Sequence, residues 1–342
     1  MAGLPFAVRR SEPIPVGPCA APQAGLLVCD PPTPYKPRHP EGTAVYQLFQ
    51  DHFDSYIRAY EERFEPRSGP LRPVVVRSVE EFMSCGRLQG GFARIRCPQC
   101  RAEHLLAFSC RTRGGLCSSC QAKRSVLFAE NLTTRILAPV PHRHWTFSIP
   151  RALRGLFERE RALLGLLSRT GYDAILRSFQ ALFERHDVRP GCVISIQTHG
   201  AFGANFNPHL HGIVSDGVFS PEGEFLPLPS LDTAAIGELF RRLLLLRLHQ
   251  AERLSERFRD QLLSWVHPGF SVFAGPPVEP TAVESLESQA RYITRPALAM
   301  DALQKRDDGT LAMQTPPDPR TGAAMVVFDP LEWIHRITTL MF

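Results

Sequence analysis

A chain of 342 residues is long enough for two domains, or one large and one small, with a sizeable core. Its 44% hydrophobic and 21% charged residues give a globular composition, and no run of about 18 apolar residues long enough to cross a bilayer is present. The net charge is +5, and Arg9, Arg10 and several prolines interrupt any apolar signal segment at the N-terminus, so an intracellular protein without membrane association is expected.

Residues 1–42 hold ten prolines and little hydrophobic periodicity, and read as an extended or disordered leader. From Ala44 to Phe64 the residues Val45, Leu48, Phe49, Phe53, Ile57 and Tyr60 recur at helical spacing, until Pro66 and Gly69-Pro70 end the helix. A second helix is predicted from Ser78, an N-cap with Glu81 three residues on, to Cys85-Gly86. Six of the nine cysteines follow: Cys85, Cys97, Cys100, Cys110, Cys117 and Cys120. The pairs Cys97-x2-Cys100 and Cys117-x2-Cys120, 16 residues apart, fit a structural zinc site, because each pair forms a tight turn presenting two thiolates and four complete a tetrahedron. Four thiolates leave no open position for chemistry. Cys110 and Cys85 are surplus thiols, either buried or replacing one member of a pair, and His104 is a weaker candidate. A disulfide framework is disfavoured without a secretion signal. Between residues 94 and 124, Arg94, Arg96, Arg101, Arg111, Arg113, Lys123 and Arg124 face one acid, Glu103, a density of positive charge suited to phosphates.

A helix is expected after Cys120, through Arg124 to Ile136, then a strand at Trp145–Ile149 stopped by Pro150, and one or two amphipathic helices over 151–187. Cys192–Gly200 and Asn205–Gly217 read as two strands joined by turn residues, an antiparallel hairpin. Side chains two apart on a strand share a face, so His209 and His211 make half of a metal site. If the chain reverses near residue 204, Gln197 falls opposite His211 and His199 opposite His209, and either supplies a third ligand. Ligand softness alone favours zinc or another transition metal at two imidazoles. Residues 219–225 add a short strand pair, 231–265 a long helical region, 271–274 a last sheet strand, and a helix begins near Glu284.

The segment His209-Leu210-His211 resembles the His-hydrophobic-His motif of the HUH endonucleases. The motifs Gly91–Cys97, Ala107–Cys110, Cys117–Cys120, His144–Pro150, Gln197–Gly200, Asn207–His211 and Arg291-Tyr292-Ile293-Thr294-Arg295-Pro296 together resemble the rolling-circle insertion-sequence transposases, over residues 44–335. The resemblance implies an α+β fold: a small Cys-rich zinc-binding domain, then an HUH-type antiparallel sheet of about five strands with helices on one side, His-x-His on a central strand and the tyrosine on a facing helix. It divides the chain into the leader 1–42, a helical and Cys-rich zinc-binding domain at 43–135, and a transposase domain at 136–342 shortened at its C-terminus.

The implied activity is a metal-dependent nick of single-stranded DNA at insertion-sequence termini. Tyr292 is the nucleophile, Mg2+ or Mn2+ sits on His209, His211 and Gln197, and Zn2+ is structural. Gln197 is preferred to His199 because an amide oxygen suits a hard cation better than a third imidazole. Arg291 and Arg295, with Arg94, Arg96, Arg111 and Arg113, are the expected DNA-binding residues, and the bacterial cytoplasm and nucleoid the expected location. Two features depart from the family: Ser288 stands where a second tyrosine would lie, and a further basic, aromatic segment past Phe342 is lacking. They motivate a second reading, a nuclease-inactive zinc-dependent DNA-binding protein. A plasmid replication initiator or relaxase is a third, which should lack the cysteine domain.

Overall fold

The computed structural model describes residues 40–98, 101–110, 116–200, 204–266, 269–297, 302–317 and 321–341. Caps and prolines set the first helices. Thr43 accepts a hydrogen bond from the Tyr46 amide at 3.2 Å and starts α1 (Ala44–Arg63). After the single turn α2 (Glu65–Ser68), α3 (Pro73–Ser84) starts at Pro73 rather than at Ser78. Proline is favoured in the first turn, where its missing N–H has no intrahelical partner to lose, and Ser78 is instead buried within the helix.

An antiparallel hairpin follows, β1 (Phe92–Arg96) with β2 (Glu103–Ala107), then α4 (Ser118–Asn131), which runs into a π-helical turn at Leu132–Ile136. Next come β3 (His142–Ser148), α5 (Arg151–Arg159), α6 (Leu163–Leu182), β4 (Cys192–His199), β5 (Phe206–Ser215), β6 (Gly217–Phe219) and β7 (Phe225–Pro227). Beyond them lie α7 (Thr233–Gln250), α8 (Glu256–Ser264), β8 (Ser271–Ala274), α9 (Val283–Ile293), β9 (Leu303–Lys305), β10 (Leu311–Gln314), β11 (Met325–Phe328) and α10 (Pro330–Thr339).

The fold is α+β. Its main sheet has four described antiparallel strands in the order β4-β5-β3-β8, one fewer than the family pattern, and β6 and β7 form a separate two-stranded pair. Alternation along β5 sends its two faces to different cores. Leu210 and Val214 join Phe147, Phe179 and Phe240 in the core under α6 and α7. Gly171 lets α6 close onto this face, since a Cβ there would meet Leu210 Cδ1 at 2.6 Å. Ile213, on the other face with His209 and His211, packs with Ala129, Leu132, Ala290 and Ile293 from α4, its π turn and α9. Helices therefore cover both faces of the sheet, not one.

A further core joins the two ends of the described chain. Val45, Phe49, Tyr56, Val79 and Phe82 of α1 and α3 pack with Leu311, Met313, Trp333 and Ile334 of β10 and α10. The terminal carbonyls of α10 are capped from elsewhere: Arg72 donates to Thr338 O at 2.9 Å and Met341 O at 2.8 Å, and Thr198 at the end of β4 donates to Leu340 O at 2.5 Å. Among the described residues no helix is long and apolar enough to cross a membrane.

His335 on α10 sits in this core, stacked on Phe64 at 4.3 Å, with Tyr56 Oη 3.3 Å from Nδ1 and Ser68 Oγ 3.0 Å from Nε2. Burial holds its imidazole down to about 4; Arg67, Arg336 and Arg63 add to this and Glu332 opposes it. The folded value lies below the ordinary value of about 6.5, so the neutral ring's full contribution is present above that pH and is lost as pH falls towards 4. The unfolding free energy from urea titrations should therefore fall between pH 7 and pH 5 by about 2 kcal/mol more in the native chain than in His335→Gln. Equal slopes would contradict the neutral, buried assignment.

Candidate active site and metal centre

The thiols that converge are not those with the simplest spacing. Cys85, at the end of α3, lies 3.8 Å from Cys117 Sγ and 3.5 Å from Cys120 Sγ, and with Cys110 the four sulfurs fall within 4.8 Å of one another. A tetrahedron with Zn–S of about 2.3 Å has sulfur–sulfur edges of about 3.8 Å, so this donor set fits zinc. The Cys110 amide donates to Cys85 Sγ at 3.2 Å, and hydrogen bonds from Cys110 and then Cys117 bring the Cys85 thiol down to about 6. Cys117 is pushed up by the same crowding, first by Cys110, and a zinc ion, which binds thiolates, would displace the protons held there. Among the described residues, Cys85 and Cys110 rather than Cys97 stand with Cys117 and Cys120, the two thiols common to this group and to the expected set. Cys97 lies in the turn after β1, outside the cluster, and Cys100 falls outside the described residues. Exposed His104, on β2, is not part of it either.

At the second centre, His209 Nε2 and His211 Nε2 approach to 3.0 Å. His209 Nδ1 is 2.7 Å from Asn207 O, a contact that fixes the ring's tautomer and leaves Nε2 with its lone pair. Burial, as the first cause, lowers all of His144, His199, His209 and His211, with His199 at about 4 and His211 at about 3, so these rings are neutral as metal ligands must be.

The register differs by two residues from the expected one. Gln197 pairs with His209, Ser195 with His211, and a bulge between Gln197 and His199 sets His199 opposite Phe206. A shift of two preserves the face, so Gln197 still shares the surface of both histidines. Its Nε2 donates to Tyr292 O and Ile293 O, each at 3.1 Å, leaving Oε1 buried without a partner. His199 Nε2 is likewise buried and unpartnered.

Two groups on β3 went unrecognised in the sequence. His144 Nε2 lies 3.0 Å from His211 Nδ1, with the rings stacked at 5.1 Å, and Thr146 Oγ1 lies 3.2 Å from the same nitrogen. Their signal was the alternation of His144, Thr146 and Ser148 along a strand now seen to pair with β5.

Tyr292, near the end of α9, meets His211 and His144 edge to face, with ring centroids at 5.2 and 5.6 Å, and is 41% exposed, enough to reach a ligand from solvent. The Arg295 guanidinium lies over its ring at 4.3 Å. Arg291 pairs with Glu287 at 2.6 Å, and exposed Ser288 lies one turn before the tyrosine. Arg94 and Arg96 share Glu103, at 2.6 and 3.6 Å, on the exposed hairpin; Arg111 and Arg113 lie outside the described residues.

A Cys cluster that fits zinc and a two-histidine sheet face met by a helical tyrosine form the arrangement that the resemblance to rolling-circle transposases implies. A family model for a transposase zinc-binding domain matches residues 48–149, and one described as a putative transposase matches residues 191–341. The chain is 28% identical over 280 residues to the putative transposase y4qJ of Sinorhizobium fredii (strain NBRC 101917 / NGR234), covering 75% of this chain and 67% of that protein. It is 28% identical over 157 residues to the transposase for insertion sequence element IS801 of Pseudomonas savastanoi pv. phaseolicola, covering 45% of this chain and 36% of that protein. The second match thus spans little more than a third of that relative. No solved structure matches. The chain belongs to the IS91/IS801 family of rolling-circle insertion-sequence transposases.

Proposed function

We propose that the chain nicks and rejoins single-stranded DNA at insertion-sequence ends by attack of Tyr292 on a phosphate. The observation that carries this reading is the Tyr292 ring against His211 and His144, beside the two converging Nε2 atoms. The tyrosine oxygen forms a bond to phosphorus as the bond from phosphorus to the 3′-oxygen breaks. The phenolic proton is in effect exchanged for one on the departing 3′-OH, and a 5′-phosphotyrosine remains. His209, His211 and the unpartnered Gln197 Oε1 would hold Mg2+ or Mn2+, which when bound supplies charge stabilisation at the phosphate. Arg295 beside the phenol, with Arg291, Arg94 and Arg96, would take neighbouring phosphates, and the reaction would take place in the bacterial cytoplasm.

Incubation with labelled single-stranded oligonucleotides and Mn2+ should give a protein–DNA adduct on a denaturing gel. Retention of intact DNA without any adduct would support instead the nuclease-inactive DNA-binding reading, which Ser288 in place of a second tyrosine favours. For the metal, Gln197→Ala should slow adduct formation by about tenfold or more, the cost of losing a directly bonded ligand. Normal cleavage by Gln197→Ala alongside inactivity of His199→Ala would assign the third ligand to His199.

A further inference from the structure

We infer that the thiol cluster positions the nucleophile: α4, fixed at its first turn by Cys117 and Cys120, holds the C-terminal end of α9 through Gln121 and Ser125, two positioning residues for Tyr292. The catalytic half of this inference rests on Tyr292 being the nucleophile, and the structural half on geometry alone.

The last carbonyls of a helix have no partners within it and must find them elsewhere. In α9 they are met from two sides. Gln197 of β4 takes Tyr292 O and Ile293 O, while Ser125 Oγ donates to Arg291 O at 2.9 Å and Gln121 Nε2 to Thr294 O at 2.9 Å. Ser125 Oγ also lies 2.8 Å from Thr294 Oγ1. Tyr292 therefore sits within a turn whose backbone is gripped by the histidine sheet and by α4.

The grip depends on how α4 is rotated about its axis. Gln121, Ser125, Ala129 and Leu132 follow one another at helical spacing, so one face carries both hydrogen-bonding residues and then the small core with Ala290 and Ile293. Cys117 is the N-cap of that helix, its carbonyl accepts from the Gln121 amide at 2.9 Å, and Cys120 immediately precedes Gln121. Both thiols belong to the four-sulfur cluster, which ties α4 to Cys85 at the end of α3. Holding those sulfurs fixes the rotation of α4 and hence the end of α9. Released, they leave α4 free to turn away from the tyrosine helix.

The test compares the zinc-loaded full chain, the chelator-stripped chain and the zinc-loaded Gln121→Ala/Ser125→Ala variant by hydrogen exchange and by adduct formation. Amides of residues 291–297 should exchange about tenfold faster in both altered forms, with protection in β10 and β11 unchanged. The double variant should keep about one zinc per chain and its affinity for a single-stranded oligonucleotide, yet form the adduct about tenfold more slowly at saturating DNA. Ser125→Thr, which keeps the hydroxyl, should behave as the native chain. Should the double variant fold poorly, Gln121→Ala alone should show the same exchange effect at about threefold. Unchanged exchange at 291–297, or faster exchange with an undiminished adduct rate, would overturn the inference. A native chain that forms no adduct at all would sink the tyrosine reading, and the exchange arm would still decide whether the cluster holds α9.

Discussion

Tyr292→Phe should form no covalent adduct with single-stranded DNA, a loss of about a thousandfold or more, as expected when the attacking atom of a covalent catalyst is removed. The phenylalanine ring keeps the edge-to-face packing on His211 and His144 and the surface on which the Arg295 guanidinium stacks. Folding, zinc content and oligonucleotide affinity should therefore be close to native, which separates loss of the nucleophile from loss of structure. Ser288→Ala should change the adduct rate by less than about twofold, because this side chain is exposed and shorter than the tyrosine, and an alcohol ionises less readily than a phenol with a pKa of about 10. Labelled oligonucleotide, Mn2+ and a denaturing gel read both variants in one experiment. An adduct from Tyr292→Phe at near-native yield would mean that another residue attacks.

Cys85→Ser and Cys110→Ser should each reduce bound zinc from about one per chain to nearly none, since an alcohol replaces one of the four thiolates that close the tetrahedron. Structural zinc in small domains contributes on the order of 10 kcal/mol of binding free energy to the folded state. The loss should therefore appear as early melting of the segment around α3, β1, β2 and the start of α4. Cys97→Ser should keep the zinc of the Cys85 cluster, because Cys97 is not among the four converging sulfurs. Elemental analysis with thermal melts decides between the two ligand sets. Zinc retained in Cys85→Ser and lost in Cys97→Ser would restore the pairing that the Cys-x2-Cys spacings suggest.

That contrast shows where the sequence was readable. Local periodicity revealed α1 from Val45, Leu48, Phe49 and Phe53, and the strand alternation that sets His209 and His211 on one face. Register across the hairpin was not local: Gln197 pairs with His209 rather than His211, the bulge after it sets His199 opposite Phe206, and for Gln197 only the parity of the face survived. Cys85 joins Cys117 and Cys120 because α3 ends against the hairpin, where the Gly86 amide donates to Phe108 O at 2.9 Å, and no spacing within the chain announces that contact. His144 was hidden for the same reason, since its partner His211 on the neighbouring strand lies 67 residues away. The packing of α10 on α1, through Phe49 against Trp333, depends wholly on such distant contacts.

The most direct test of the central claim is to map the DNA-linked peptide by mass spectrometry after reaction with a single-stranded oligonucleotide and Mn2+. The account predicts a nucleotide joined through its 5′-phosphate to Tyr292, together with a released strand whose 3′-OH a polymerase can extend. A nucleotide joined to any other residue, or a released strand that ends in a 3′-phosphate, would contradict it.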